Sequence, residues 1–199
     1  MSQFIESIRI LNGNIELLDY HNERFNATRK LFFCVEDERD LYQFIQIPEE
    51  YKKGLVKCRI VYDIEIRDLQ FSFYKPQNIS NLKLIEASIN YDYKSTDRDR
   101  LEHLKNLAFP ADEVLIVNDG KISDTSFSNI IFRKDMRWLT PDSPLLAGVM
   151  REYLLNEGMI EEISISTEDL KMFDAFMLIN AMLTFDESRA LPIKNILGV

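Results

Sequence analysis

Four short stretches carry residues whose types and spacing could do chemistry together. The first is Tyr20-His21-Asn22-Glu23-Arg24. The guanidinium of Arg24 can hold a phosphate through two parallel N–H donors; a solvated arginine on a charged helix would read the same way. The second runs from Tyr91 to Arg98 with Lys94 at its centre. A lysine between a strand and a helix can face a cleft, lose hydration and react as a free amine, although most lysines are simply solvated. The third is the polar run Ser123-Asp124-Thr125-Ser126-Phe127-Ser128-Asn129, set between apolar segments. Polar groups so placed need partners or a ligand. An acid among them could pair with a protonated ring nitrogen; an ordinary Asx/Ser turn is the plainer alternative. The fourth is Leu145-Leu146-Ala147-Gly148-Val149-Met150-Arg151. A glycine leading into a helix presents backbone N–H groups and the positive end of the helix dipole, which suit a phosphate, or it only starts a helix.

The elements that must position these residues are legible in outline. Ile8, Ile10, Ile15 and Leu17 flank Asn12-Gly13, a dipeptide that accepts positive φ at both central turn positions, so residues 4–18 read as a hairpin. Asp19 can cap a helix over 20–32, with Phe25, Arg29 and Phe32 at helical spacing. A second helix is expected over 37–46 and a short third from Pro48. Residues 55–62, 65–74 and 82–89 read as strands, with a loop over 75–81. A helix over 97–108 places Leu101, Leu104, Leu107 and Ala108 on one face. Strands follow at 114–117 and 126–133 around the turn Asn118-Asp119-Gly120-Lys121. A rigid loop holds Pro141 and Pro144, and a helix over 149–157 stops at Gly158. Residues 161–165, 175–183 and 192–196 read as further strands. The order is α+β rather than a regular βαβ alternation. No Gly-x-Gly-x-x-Gly follows a strand, which disfavours a dinucleotide-binding unit. The boundary falls near residues 88–93, giving an N-terminal α/β domain over 1–88 and a C-terminal domain over 89–199.

The chain has 199 residues, 46% hydrophobic and 29% charged, enough for one large domain or two small ones. Its net charge of −9, with basic residues interleaved among acids as in Asp97-Arg98-Asp99-Arg100, argues against a nucleic-acid partner. Cys34 and Cys58 lie among apolar or mixed neighbours and are expected to be buried free thiols in a reducing compartment. They form no metal-binding pattern. Met1-Ser2-Gln3-Phe4 leads straight into a patterned segment with neither a basic start nor an apolar stretch. No apolar run approaches the roughly 20 residues of a membrane helix. The expectation is a cytoplasmic protein with no membrane partner.

Taken together, a phosphate-binding arginine, a lysine, an acid and a helix-start phosphate cradle are the parts needed to hold pyridoxal phosphate. At these positions the chain resembles the class IV aminotransferases, the group that includes branched-chain and D-amino-acid aminotransferases and aminodeoxychorismate lyases. Phe4-Ile5-Glu6-Ser7-Ile8-Arg9 with Asn12-Gly13 is similar to the strand before that family's His-x-x-Arg helix, which His21 and Arg24 match. Gly148-Val149-Met150-Arg151 is similar to its phosphate loop, and Ile179-Asn180-Ala181-Met182 to a late active-site strand. Asp97-Arg98, the Gly-Val-Met-Arg form and Asn180-Ala181-Met182 point within the group to the lyases.

The resemblance implies PLP fold type IV (D-amino-acid aminotransferase-like). A small N-terminal α/β domain would precede a larger, mixed, barrel-like domain that binds the cofactor. Lys94 would be the Schiff-base lysine. Arg24, Asp124, Ser126, Asn129, Gly148, Val149 and Met150 would bind the cofactor, with Asp124 facing the pyridine nitrogen. Asn180 would meet the substrate. Arg59, on a strand expected near the pocket, could take a substrate carboxylate or serve as a cross-strand salt-bridge partner. No metal is implied. The implied activity is 4-amino-4-deoxychorismate lyase, yielding 4-aminobenzoate and pyruvate for folate biosynthesis, in a homodimer. Alternatives are an amino-acid transaminase and a family member without catalysis. Three departures bear on the substrate: the chain starts about where the family's opening strand and loop end, Asp124 replaces a commoner glutamate, and Asp63 stands where glycine is common.

Overall fold

Asn12 and Gly13 take φ values of 49° and 81°, the left-handed geometry of a two-residue hairpin turn. They fold β1 (Phe4–Leu11) back on β2 (Asn14–Ile15) with Ile10 opposite Ile15. The hairpin opens a computed structural model that describes residues 2–198. Two compact units make up the chain. The first holds the chain through Pro76 together with Tyr93–Asp97; the second holds Gln77–Asp92 and the chain from Arg98 onward.

In the first unit, α1 (Leu18–Phe33) follows the hairpin. The expected cap does not form: Leu17 occupies the capping position with left-handed backbone, and Asp19 falls inside the first turn, where its charge suits the helix dipole. Phe25 and Arg29 are buried, whereas Phe32 is 43% exposed. Next come β3 (Leu55–Tyr62) and β4 (Ile66–Phe73), giving a sheet of order β2-β1-β3-β4. The period-2 pattern of β3 sends Val56, Cys58 and Ile60 into the core and leaves Lys57 and Arg59 half-buried. Phe4, Ile8, Ile10 and Phe25 complete that core.

The expected helix over 37–46 is absent, and only a 3-10 turn at Leu41–Gln43 forms. Side chains of α1 capture the amides a helix would use: Arg39 N–H donates to Asn26 Oδ1 at 3.0 Å and Leu41 N–H to Asn22 Oδ1 at 2.8 Å. A second 3-10 turn, Glu49–Tyr51, stands where the short helix was expected. Cys58 is buried, but Cys34 is exposed, because the left-handed residue that ends α1 lies at the surface.

The second unit starts with β5 (Leu82–Glu86), which pairs in parallel with β6 (Glu113–Asn118). Parallel neighbours need a crossover, and α2 (Asp99–Leu107) supplies it. Residues 93–97 of the same crossover belong to the first unit. Leu101, Leu104 and Ala108 pack on Val114 and Ile116, while Leu107 is exposed. A turn with positive φ at Asp119 and Gly120 leads to β7 (Lys121–Thr125), which pairs back on β6. The strand expected over 126–133 is shorter at its start, and a strand not expected, β7, precedes it. The chain bends at Ser126–Ser128 before β8 (Asn129–Lys134). β9 (Arg137–Pro141) was not expected; it ends on the first of the two prolines that read as a rigid loop.

After β9 the chain forms α3 (Val149–Asn156), β10 (Glu161–Ile163), β11 (Ala175–Ile179), β12 (Leu191–Pro192) and β13 (Ile196–Leu197). The sheets are ordered β10-β9-β8-β11-β12 and β13-β5-β6-β7. Leu82, Leu115 and Ile122 from one meet Ile130, Phe132 and Phe176 from the other in one core. The near-continuous apolar runs of β6, β8 and β11 reflect strands covered on both faces.

Candidate active site

The residues singled out in the sequence divide between the two units. Arg24, Arg59 and Lys94 belong to the first; Asp124, Ser126, Asn129, Gly148, Val149, Met150 and Asn180 belong to the second.

In the first unit, β1 alternates so that Glu6 shares the inward face with Phe4 and Ile8 and is fully buried. Two residues of α1, three apart and so on one face, meet it. His21 Nδ1 lies 2.5 Å from Glu6 Oε2. Arg24 donates from Nε to Oε1 at 2.9 Å and from Nη2 to Oε2 at 2.5 Å. Burial alone would raise the Glu6 carboxyl, but the charge of Arg24 and the hydrogen bonds from His21 and Arg24 outweigh it and hold it at about 2. Burial drives His21 the other way, below its ordinary value, and the charges of Arg24 and Lys94 push in the same direction. His21 is therefore a neutral ring whose Nε2 has no hydrogen-bond partner among the described residues. Sequence reasoning matched His21 and Arg24 but gave Glu6 no role. The signal was an acid on the apolar face of an alternating strand.

Lys94 is half-buried on the returning segment Tyr93–Asp97. Ile5 N–H donates to the Lys94 carbonyl at 2.9 Å, Thr96 N–H to the Gln3 carbonyl at 2.9 Å, and Phe4 bridges to Ser95. The Tyr93 ring meets Phe32 edge-on with centroids 4.7 Å apart. Arg59 stands on β3 opposite Ser7 and Gln70. It forms no ion pair among the described residues.

In the second unit, Asp124 on β7 is 5% exposed. Its Oδ1 accepts Asn129 Nδ2 at 2.8 Å, and its Oδ2 accepts the N–H groups of Leu145 at 2.9 Å and Leu146 at 3.1 Å. Burial raises its carboxyl to about 6 in spite of these bonds and of the Arg151 charge. Gly148 precedes α3, and no side chain caps the first turn, where Val149 and Met150 are buried. Ser126 is held by its backbone: its N–H donates to Glu113 Oε1 at 3.3 Å and its carbonyl accepts Arg98 Nη2 at 2.8 Å. Asn180 donates from Nδ2 to the Phe127 carbonyl at 3.3 Å, and its Oδ1 accepts the N–H groups of Met182 and Leu183. Sequence reasoning gave Glu113 and Arg98 no such role, since neither is local to the bend they hold. The described residues hold no cluster of His, Cys, Asp or Glu suited to a metal ion. None of their helices is long and apolar enough to cross a membrane.

The family model for class IV amino-transferases matches residues 3–196. An uncharacterized protein of Haemophilus influenzae is 34% identical over 92% of this chain and 98% of its own. A structure from Haemophilus somnus 129PT, provisionally assigned as a 4-amino-4-deoxychorismate lyase, is 31% identical; it covers 93% of this chain and 98% of its own, with a TM-score of 0.86. A hypothetical aminotransferase from Mycobacterium tuberculosis, in its PLP-bound form, shares the fold at 16% identity over 98% of this chain and 81% of its own, with a TM-score of 0.77. The chain belongs to the class IV aminotransferases, a family of pyridoxal-phosphate-dependent enzymes.

Residues of this chain fit that cofactor. The uncapped start of α3 lacks partners that an anion could supply. The raised carboxyl of Asp124 marks a buried acid short of positive charge, and a protonated ring nitrogen would provide it.

Proposed function

We propose that this enzyme is a 4-amino-4-deoxychorismate lyase, releasing 4-aminobenzoate and pyruvate. The observation that carries this reading is the likeness to the Haemophilus somnus structure, which spans nearly all of both chains at 31% identity. Bound pyridoxal phosphate supplies an electron sink for the pair released at the amine-bearing carbon. In this proposal Lys94 is the covalent anchor. With the cofactor bound, its Nζ would remove the substrate's ring proton and return a proton to the departing enolpyruvyl carbon. Substrate atoms divide between the two products with no co-reactant. Asp124 stays ionised beside the ring nitrogen. Arg24 and the backbone N–H groups of Val149 and Met150 hold the phosphate. Arg59, without an ion-pair partner among the described residues, is the cation for a substrate carboxylate, with Asn180 alongside. The proposal includes a cytoplasmic homodimer serving folate biosynthesis; light scattering on the eluting protein tests the dimer.

Incubation with 4-amino-4-deoxychorismate should give 4-aminobenzoate and pyruvate in equal amounts. Keto-acid formation from amino acids and 2-oxoglutarate, with no 4-aminobenzoate, would make the protein a transaminase instead. Borohydride reduction should leave the pyridoxyl adduct on Lys94, and cofactor bound without that adduct removes the role. Lys94→Ala should lower turnover on the order of 10²–10⁴-fold.

A further inference from the structure

Asp124 and Asn129 hold three successive peptide groups of one loop. Oδ2 of Asp124 accepts the N–H groups of Leu145 and Leu146. Asn129 Nδ2 donates both to Asp124 Oδ1 at 2.8 Å and to the Leu146 carbonyl at 2.9 Å. With its nitrogen committed to two acceptors, the carboxamide turns its oxygen toward Gly148. A Cβ on Gly148 would stand 2.1 Å from that oxygen. Gly148 has φ −78°, an ordinary backbone value, so the glycine is required by this close approach and not by conformation. Asp124 and Asn129 are each 5% exposed, so water does not readily replace a lost bond.

We propose that Asp124 and Asn129 are positioning residues for the entry into α3, joining the acid and the phosphate-binding backbone into one mechanical unit. The proposal rests on the cofactor reading above and extends it. A group that served only the ring nitrogen would act equally on a cofactor with or without its phosphate. A clamp on the loop acts on the phosphate as well.

Equilibrium dialysis of the cofactor-free protein with pyridoxal phosphate and, separately, with pyridoxal separates the two. Asn129→Ala removes both of its bonds. It should weaken pyridoxal phosphate about tenfold or more relative to pyridoxal, as expected for loss of buried hydrogen bonds at the loop. Amide exchange at Leu145 and Leu146 should quicken in the same variant. Gly148→Ala, which pushes the carboxamide aside and leaves its partners present, should reproduce the loss and serves if Asn129→Ala fails to fold. A ratio equal to that of the unaltered protein overturns the proposal whatever the exchange rates. Failure of the unaltered protein to bind pyridoxal phosphate overturns the cofactor reading together with it.

Discussion

Two buried carboxylates shift in opposite directions, and the difference lies in their neighbours. Glu6 has a guanidinium at hydrogen-bond distance and is held at about 2. Asp124 has amides and a carboxamide and rises to about 6. Opposite pH dependences follow. Glu6 binds fewer protons folded than unfolded, so its stabilisation is complete above its ordinary 4.5 and drains as pH falls toward 2. His21, lowered by burial, adds to the acid loss from its ordinary 6.5 downward. Glu6→Gln should flatten this acid limb. It should also cost on the order of 3 kcal/mol at neutral pH, because Arg24 keeps its charge and loses the carboxylate. Urea unfolding at neutral and acid pH measures both. Asp124 binds more protons folded than unfolded, so it takes stability away as pH rises through about 6. Neutral Asp124 cannot pair with a ring cation, so affinity for pyridoxal phosphate should weaken as pH falls below about 6. Calorimetric titration on either side of that value tests it. Asp124, His21 and Arg24 were legible in the sequence as candidates, and Glu6 only as part of a strand. The shifts were not, since they depend on burial and on partners distant in the chain.

Among the elements, those built from local chemistry were the legible ones. The Asn12-Gly13 hairpin and β3 follow from turn residues and period-2 alternation. The segment after α1 does not, because side chains of α1 decide it. Arg29 is fully buried and donates from Nε to the Ile64 carbonyl and from Nη1 to the Asp37 carbonyl, each at 3.0 Å, while Nη2 meets the Asp37 carboxylate at 3.2 Å. It organises a loop where a helix was expected over 37–46. Arg29→Met keeps much of the apolar stem and leaves those carbonyls unsatisfied. It should cost about 3 kcal/mol, read as a lower urea midpoint. A midpoint equal to that of the unaltered protein would show the segment to be held by other contacts. β9 was not legible because Pro141, its last residue, and Pro144 beyond it read as a loop. Its partners, β8 and β10, decide that it is a strand.

At the scale of the whole molecule, the candidate residues lie on two units, each with a core of its own. Lys94 belongs to the first because the β5–β6 crossover carries residues 93–97 there. A cofactor that binds only the folded chain stabilises it by mass action. At about a hundredfold excess over Kd, pyridoxal phosphate should add about 2.7 kcal/mol. Its removal by dialysis against a scavenging amine should return the melting temperature to that of the cofactor-free protein. Equal melting temperatures with and without bound cofactor would rule out preferential binding to the folded state.

The sequence by itself determined the candidate parts, Lys94, Arg24, Asp124 and the glycine before α3, and the turns between strands. These are matters of residue type and of interactions a few positions apart. Only the tertiary structure decided that Glu6 joins His21 and Arg24, that Asn129 ties Asp124 to the loop before Gly148, and that residues 121–125 form a strand while 126–128 bend before β8. Each of those outcomes depends on strand pairing and burial that bring together residues far apart in the chain.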